Sequence, residues 1–597
     1  MLYSQSFYRL RFLSFLTICL IVTQISFSQK KDENIGTEVV NVVKSYTPAI
    51  SDASKIKEIP TLDEEEMSKK ESVKYTIFSF PVASTFTPYK GNPEAVEKEK
   101  RKKYFKNYTT FAGGNYGVLN GELFVNHDLN STDYVGAMLS HFSSQGGIKD
   151  VELSDNYNQT NLELTFGTHR KNLSWNLDFG YQNQIYNWYG LPVDFGSSLV
   201  PIEKRTTLLN EINVQQRYNS LYVGTRMNFN KGILNDASLK FNRFSDAFGS
   251  TENRICAKPT FGFEFKDKYI NTTLVVDYLQ GSFVREYLNT NPLNYGFTNI
   301  GIIPSFEVKE KGWTVQIGAA VFYSLAAETA TNQLLLYPKI KASFDLVDDL
   351  MVFYTGLDGN LEQNTYSDFV AINPFVSPTL QIAPTDKQFD VFAGLKGKLT
   401  HAVSYNMKAS YVNESNKALF KSNVYYDSMY DDSAFDVKGY HLGNSFNVVY
   451  DDIKTLGFSG ELKAEFSEKI KWRLSGTINS YKTTNEMQAW NLPQIKWDSK
   501  IDYVINEKWY AGMNMFYVGE RKEELHYDTY VGNNDPRVIK NLNSYFDVNA
   551  HVGFKYSNRL IAFLKANNIA NNSFQKWLNY PVQALQVVLG VNYKFDF

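Results

Sequence analysis

Leu585-Gln586-Val587-Val588-Leu589-Gly590-Val591-Asn592-Tyr593-Lys594-Phe595-Asp596-Phe597 ends the chain, and its reading decides the fold. Leu585, Val587, Leu589, Val591, Tyr593, Phe595 and Phe597 fall on one face of an extended strand. Gln586, Gly590, Asn592, Lys594 and Asp596 fall on the other. Strand side chains alternate with period two, so one face is apolar and the other is wet. The same pattern recurs upstream. Trp313, Val315, Ile317, Ala319, Val321 and Tyr323 oppose Thr314, Gln316, Gly318 and Ser324. Leu456, Phe458, Leu462, Ala464 and Phe466 oppose Ser459, Glu461, Lys463 and Glu465. A β-sandwich also hides one apolar face, but its outer face need not carry so many aromatics near strand ends.

Twenty-two such segments can be drawn between residues 106 and 597, the first at 106–117 and the last at 585–597. Connections after even-numbered segments are short, as at Asn130-Ser131, Asp348-Asp349 and Ser557-Asn558-Arg559. Most connections after odd-numbered ones are long: 188–211, 363–385, 416–451 and 521–542. Tight turns on one side and long loops on the other are the sidedness of an outer-membrane barrel. The expectation is an all-β fold: a closed antiparallel transmembrane β-barrel of about 22 strands with a short extended periplasmic N-terminal segment. Closure follows from the solvent, because lipid offers no partner to an unpaired strand edge.

Composition agrees. Aromatics are 15% of the chain, with 40 Tyr and 43 Phe, while mean hydropathy is negative. A soluble core would draw more on Leu, Ile and Val, whereas a barrel places aromatics at the lipid interfaces and polar groups in its lumen. Net charge is −2, so no basic field argues for nucleic acid. The seven histidines are scattered singly, with none at metal-ligand spacing, and no cofactor motif is present.

The first residues read as a secretory signal peptide over 1–28: Arg9 and Arg11, the apolar run 12–25, then Ser26-Phe27-Ser28. The run is shorter than the ~20 residues a spanning helix needs. Cys19 lacks the small-residue lead-in of a lipid-bearing site, and Cys256 is then the only cysteine left after cleavage. Residues 29–105 hold five of the 17 prolines, the acidic run Asp63-Glu64-Glu65-Glu66 and a charged stretch from Glu94. They read as a periplasmic segment, mostly extended or disordered, preceding a barrel domain at 106–597.

Residues 560–597 resemble the C-terminal hairpin of TonB-dependent receptors. A strand ends in Asn567-Asn568-Ile569, an aromatic-bearing loop follows, and the last strand carries Tyr593-Lys594-Phe595. The number of segments also matches that family. Near the expected mature N-terminus, Glu38-Val39-Val40-Asn41-Val42-Val43 resembles a TonB box, which pairs by strand addition with an energy-coupling protein. The resemblance implies an outer-membrane location in a Gram-negative-type envelope, transport of a solute, and a TonB-type partner. It also implies that Leu589, Val591, Tyr593, Phe595 and Phe597 act as the insertion signal read by barrel-assembly machinery. The family's folded plug is much longer than the 78 residues from Gln29 to Lys106, which show no βαβ pattern. A plugless scaffold barrel, bound to a surface or periplasmic partner protein, therefore stands as the alternative. So wide a lumen needs an obstruction: inward-folded loops, a partner, or the apolar stretch at 73–88.

No enzyme is expected. His141-Phe142-Ser143-Ser144, placed in the first long loop, offers adjacent side chains rather than a triad. His441 and His526 are expected in solvated loops. Asp427, Asp431, Asp432, Asp436, Asp451 and Asp452 lack EF-hand spacing. Loop aromatics such as Trp188, Tyr189, Trp490 and Tyr530 suit either a sugar- or partner-binding surface or simple loop packing.

Overall fold

The computed structural model describes residues 104–597 except 194, 196–201, 267, 348–349, 425–435 and 527–536. The Glu38–Val43 segment and residues 73–88 lie outside the described residues. In chain order the strands are β1 Asn107–Gly114, β2 Leu119–Asp128, β3 Asp133–Ser144, β4 Tyr157–His169 and β5 Leu173–Asn187. Next come β6 Gln215–Phe229, β7 Leu234–Asp246, β8 Thr251–Phe265, β9 Lys268–Phe283 and β10 Leu293–Glu310. Then follow β11 Trp313–Ala326, β12 Asn332–Val347, β13 Met351–Glu362, β14 Thr385–Thr400 and β15 Val403–Ser422. The series continues with β16 Phe446–Ser467, β17 Ile470–Thr483, β18 Ile495–Val504 and β19 Trp509–Val518. It ends with β20 Arg521–His526, β21 Arg537–Leu542, β22 Tyr545–Lys555, β23 Leu560–Asn567, β24 Gln575–Trp577, β25 Tyr580–Pro581 and β26 Gln586–Phe595. The helices are α1 Ile202–Glu211 and α2 Tyr366–Ile372.

Twenty-two of these strands form one antiparallel sheet; β20–β21 and β24–β25 are separate hairpins in external loops. The sheet closes where β1 meets β26, with Asn107 opposite Phe595 and Gly113 opposite Leu589. No edge strand faces lipid, as a medium without hydrogen-bonding partners requires. The outward face is the apolar one: Leu589 is 64% exposed and Leu456 61%, while their inward neighbours Gly590 and Gly457 are buried. The short turns are built from side chains that bond their own backbone. Asn130 Oδ1 accepts from Thr132 N and Asp133 N, both at 2.8 Å. Ser557 Oγ accepts from Arg559 N and Leu560 N. These are the local bonds by which Asx and Ser/Thr residues favour turns over continued strand.

Two features differ from the sequence reading. The strands at 403–415 and 452–467 are longer than expected, reaching Ser422 and starting at Phe446. A register shift between Glu414 and Lys417 resets the pairing, which then continues to Ser422 opposite Phe446. Above that bulge both faces of the hairpin are covered, so alternation vanishes: Phe420 and Val448 pack into one aromatic cluster, Leu419 and Ile453 against Trp490 on the other side. The second difference concerns aromatics. Many point into the lumen rather than sitting at lipid interfaces. A Cβ placed on Gly180 or Gly281 would run into the ring of Tyr222 or Tyr295 on the neighbouring strand. These inward rings lie flat across glycines, a cross-strand pairing that also eases the wall's curvature.

Candidate functional site: a loop cap across the external mouth

The external connections share one hydrophobic core. Trp188, Tyr366, Phe375, Tyr440, Phe446 and Tyr580 all belong to it and are buried. The parts are brought together from far around the barrel. Trp188 directly follows β5, and Asn444 lies just before β16, eleven strands away in a closed ring of 22. The strands that carry them therefore lie on opposite sides of the barrel. Asn444 Nδ2 nevertheless donates to Trp188 O at 2.7 Å and to Gly439 O at 2.8 Å. Trp188 Nε1 donates to Phe375 O at 3.1 Å in the β13–β14 loop. Tyr580, from the β23–β26 loop, stacks on Phe375 with ring centres 3.7 Å apart and donates its hydroxyl to Asn444 O. The loops thus bond to one another across the diameter.

The β13–β14 loop is tied to the wall as well. Thr365 Oγ1 accepts from Asp368 N at 2.9 Å and caps α2. The Glu252 carboxylate on β8 accepts from Tyr366 N at 2.7 Å, Ser367 N at 3.2 Å and the Tyr295 hydroxyl at 2.9 Å. Tyr366 donates its own hydroxyl to Asp246 at 2.9 Å. Buried polar groups need such partners, and here they fix the loop's position.

The β20–β21 hairpin bolts the cap to the tall β15–β16 hairpin. Glu523, fully buried, accepts from Ser422 N at 3.0 Å and Asn491 Nδ2 at 2.6 Å. Burial raises its carboxyl to about 7. Glu524 pairs with Lys421 at 2.8 Å. Below the cap the lumen wall is polar, with ion pairs such as Arg254–Asp277 at 2.6 Å and Lys339–Asp358 at 2.6 Å.

Two histidine expectations are corrected here, and the loop aromatics follow the packing alternative. His141 does not lie in a loop: it is within β3, bonded through Nδ1 to Thr160 Oγ1. His441 is not solvated. It is fully buried, accepts from Lys438 N at 2.8 Å and lies 3.0 Å from Tyr287 O. Burial, then the charge of Arg285, pushes its imidazole down to about 3. Trp188 and Trp490 present no surface to a sugar, being 1% and 0% exposed; they pack the loops. The acidic loop residues that are described go separate ways. Asp436 pairs with Lys438, and Asp451 gathers the backbone N–H groups of Thr484, Asn485 and Glu486. Leu589, Val591, Tyr593 and Phe597 stand exposed at the closing strand, with Phe595 between the last two rings.

The sequence reading offered inward-folded loops as one of three obstructions but did not identify the residues that join them. A signal was present: Trp188, Phe369, Phe375, Tyr440, Trp577 and Tyr580 sit in connections that solvent alone would keep polar.

No protein-family model matches the chain, and no curated protein matches it in sequence. Solved structures do match its fold. The FrpB iron transporter from Neisseria meningitidis superimposes with a TM-score of 0.61 at 10% identity, over 83% of this chain and 82% of that one. The siderophore receptor PirA from Acinetobacter baumannii gives 0.59 at 10% identity, over 83% and 81%. The ferripyoverdine receptor of the outer membrane of Pseudomonas aeruginosa gives 0.57 at 11% identity, over 83% and 73%. At such identities the likeness is one of fold. It is the fold that is shared: a closed antiparallel β-barrel, here of 22 strands, like the barrels of these transporters and receptors.

Proposed function

We propose that this barrel is a gated transporter of a solute across the outer membrane, opened through its external cap and driven from the periplasm. The observation that carries the reading is the bond from Asn444 to Trp188 across the mouth. A lumen ringed by 22 strands is wide enough to leak, so a closed cap is what a selective path needs. The solved proteins of similar fold are transporters and receptors rather than enzymes, which supports transport over catalysis. Glu38-Val39-Val40-Asn41-Val42-Val43 is the proposed contact for a TonB-type protein. Leu589 to Phe597 is the proposed signal to the insertion machinery. Residues 73–88 are proposed as a second obstruction at the periplasmic side, since Phe78 and Phe80 would each gain about 1.5–3 kcal/mol on leaving water.

Single-channel conductance in planar bilayers tests this. The intact protein should be nearly silent, and a Trp188→Ala/Tyr580→Ala variant that also lacks residues 73–88 should conduct. If the capless variant stays silent and the protein co-purifies with stable partners, the scaffold reading replaces transport.

A further inference from the structure

One corner of the external rim is basic. Register sets Lys496, Val518 and Tyr545 in one row across β18, β19 and β22. Lys496 shares the inward parity of β18, opposite to the exposed Ile495 and Tyr503. The Arg521 guanidinium sits 5.5 Å from the centre of the Tyr545 ring. It donates to Lys576 O and, at 2.7 Å, to Gln575 O. Tyr545 stacks on Phe574 at 4.0 Å, which brings the chain leading to Lys576 into the same corner. Among the described residues none of these cations forms an ion pair. One donor of the group, Arg521 Nε, is buried with no acceptor among the described residues, and Arg521 as a whole is 5% exposed. Of the acids close by in the chain, Glu523 is bonded to Ser422 and Asn491, Glu520 is exposed, and Asp498 lies two residues along β18.

Such an arrangement is costly unless something answers it. Like charges repel, and buried donors without acceptors lose their hydration. The ammonium of Lys576, exposed at its surface but crowded by the surrounding protein, is held below its ordinary range, first by that desolvation and then by the charges of Arg521 and Lys496. We propose that Lys496, Arg521 and Lys576 form a binding site for an oxyanion, the phosphate or carboxylate group of a solute entering the barrel. The inference rests on the transport reading for the solute's entry, but the site is defined by these side chains alone. Arg521 is the pre-organised member, because carbonyls and a ring already fix its plane. The two lysines are exposed at the rim and close on the ligand as mobile point charges.

Isothermal titration of the full-length protein in detergent tests the site, with pyrophosphate and citrate as probes and a neutral disaccharide as control. The expected result is binding of at least one anion, weakened by added salt and at least tenfold weaker in Lys496→Gln/Lys576→Gln. Pyrophosphate alone binding would assign a phosphate-bearing solute, and citrate alone a carboxylate-bearing one. Absence of binding by the unaltered protein, or equal binding by the double variant, overturns the proposal. Arg521 is left intact because it anchors residues 575 and 576. Conductance of the capless variant is recorded on the same preparations. A conducting barrel without anion binding sinks this site only; anion binding by a permanently silent barrel sinks the transport reading only.

Discussion

In the barrel wall, Phe322 and Tyr295 are buried because a strand's period of two turns them inward over glycines of the next strand. In the cap, Trp188 and Tyr580 are buried just as deeply although no period governs their segments. The wall is ordered by backbone hydrogen bonds that lipid leaves no alternative to. The cap is ordered by side chains from distant loops that find one another across the mouth. The two regions should therefore fail differently. Damage to the wall removes the protein; damage to the cap leaves the barrel and changes what passes through it.

The largest effect should come from the wall's closing strand. Deleting residues 585–597 removes both of β26's ladders, to β1 and to β23. We expect no folded barrel, seen as loss of the compact, heat-modifiable band in electrophoresis of unheated samples. A deletion variant that kept that band would show that closure through β26 is dispensable.

Next comes the cap's centre. Tyr580→Ala empties a fully buried position stacked on Phe375 and frees the contact to Asn444. The local cost should be about 3–5 kcal/mol, with the heat-modifiable band intact and, in a chain that also lacks residues 73–88, conductance raised. An unchanged conductance would mean that other contacts hold the mouth shut.

This contrast also explains what the sequence made legible. Strand period and turn chemistry are local, so Leu585–Phe597, Asn130 and Ser557 could be read directly, and each of the expected 22 segments has its strand in the sheet. The cap depends on contacts such as Trp188 with Asn444, separated by 256 residues, and no local pattern encodes them. The tops of β15 and β16 were missed for a related reason: with both faces buried, Lys417-Ala418-Leu419-Phe420 shows no alternation. His441 looked like a solvated loop residue because its partners, Tyr287 and Arg285, belong to another loop.

A milder perturbation probes the wall's inner surface. Gly281→Val on β9 should push the Tyr295 ring off its neighbour and strain the bond from Tyr295 to Glu252. Overpacking of this kind costs about 1–3 kcal/mol, read as a lower midpoint in urea. Since Glu252 also holds Tyr366, the same substitution should loosen the β13–β14 loop. A lowered midpoint with no change in that loop's proteolysis would separate wall from cap at this contact.

The smallest effect divides the cap itself. Glu523 and His441 are both fully buried in external loops, but their charge is shifted in opposite senses. The Glu523 carboxyl is raised by burial from 4.5 to about 7. Its contribution to docking the β20–β21 hairpin is therefore fully present below about pH 4.5 and lost as pH rises through about 7. The His441 imidazole is lowered from 6.5 to about 3, so its contribution is present above pH 6.5 and is lost as pH falls toward 3. Hydrogen exchange, corrected for intrinsic rates and compared at pH 5 and pH 8, should show opposite slopes. The hairpin at 521–526 and 537–542 should be better protected at pH 5, and the segment 437–445 at pH 8. Glu523→Gln should flatten the first slope and leave the second. Parallel slopes in the two segments would mean that the cap opens as one cooperative unit, with neither group acting locally.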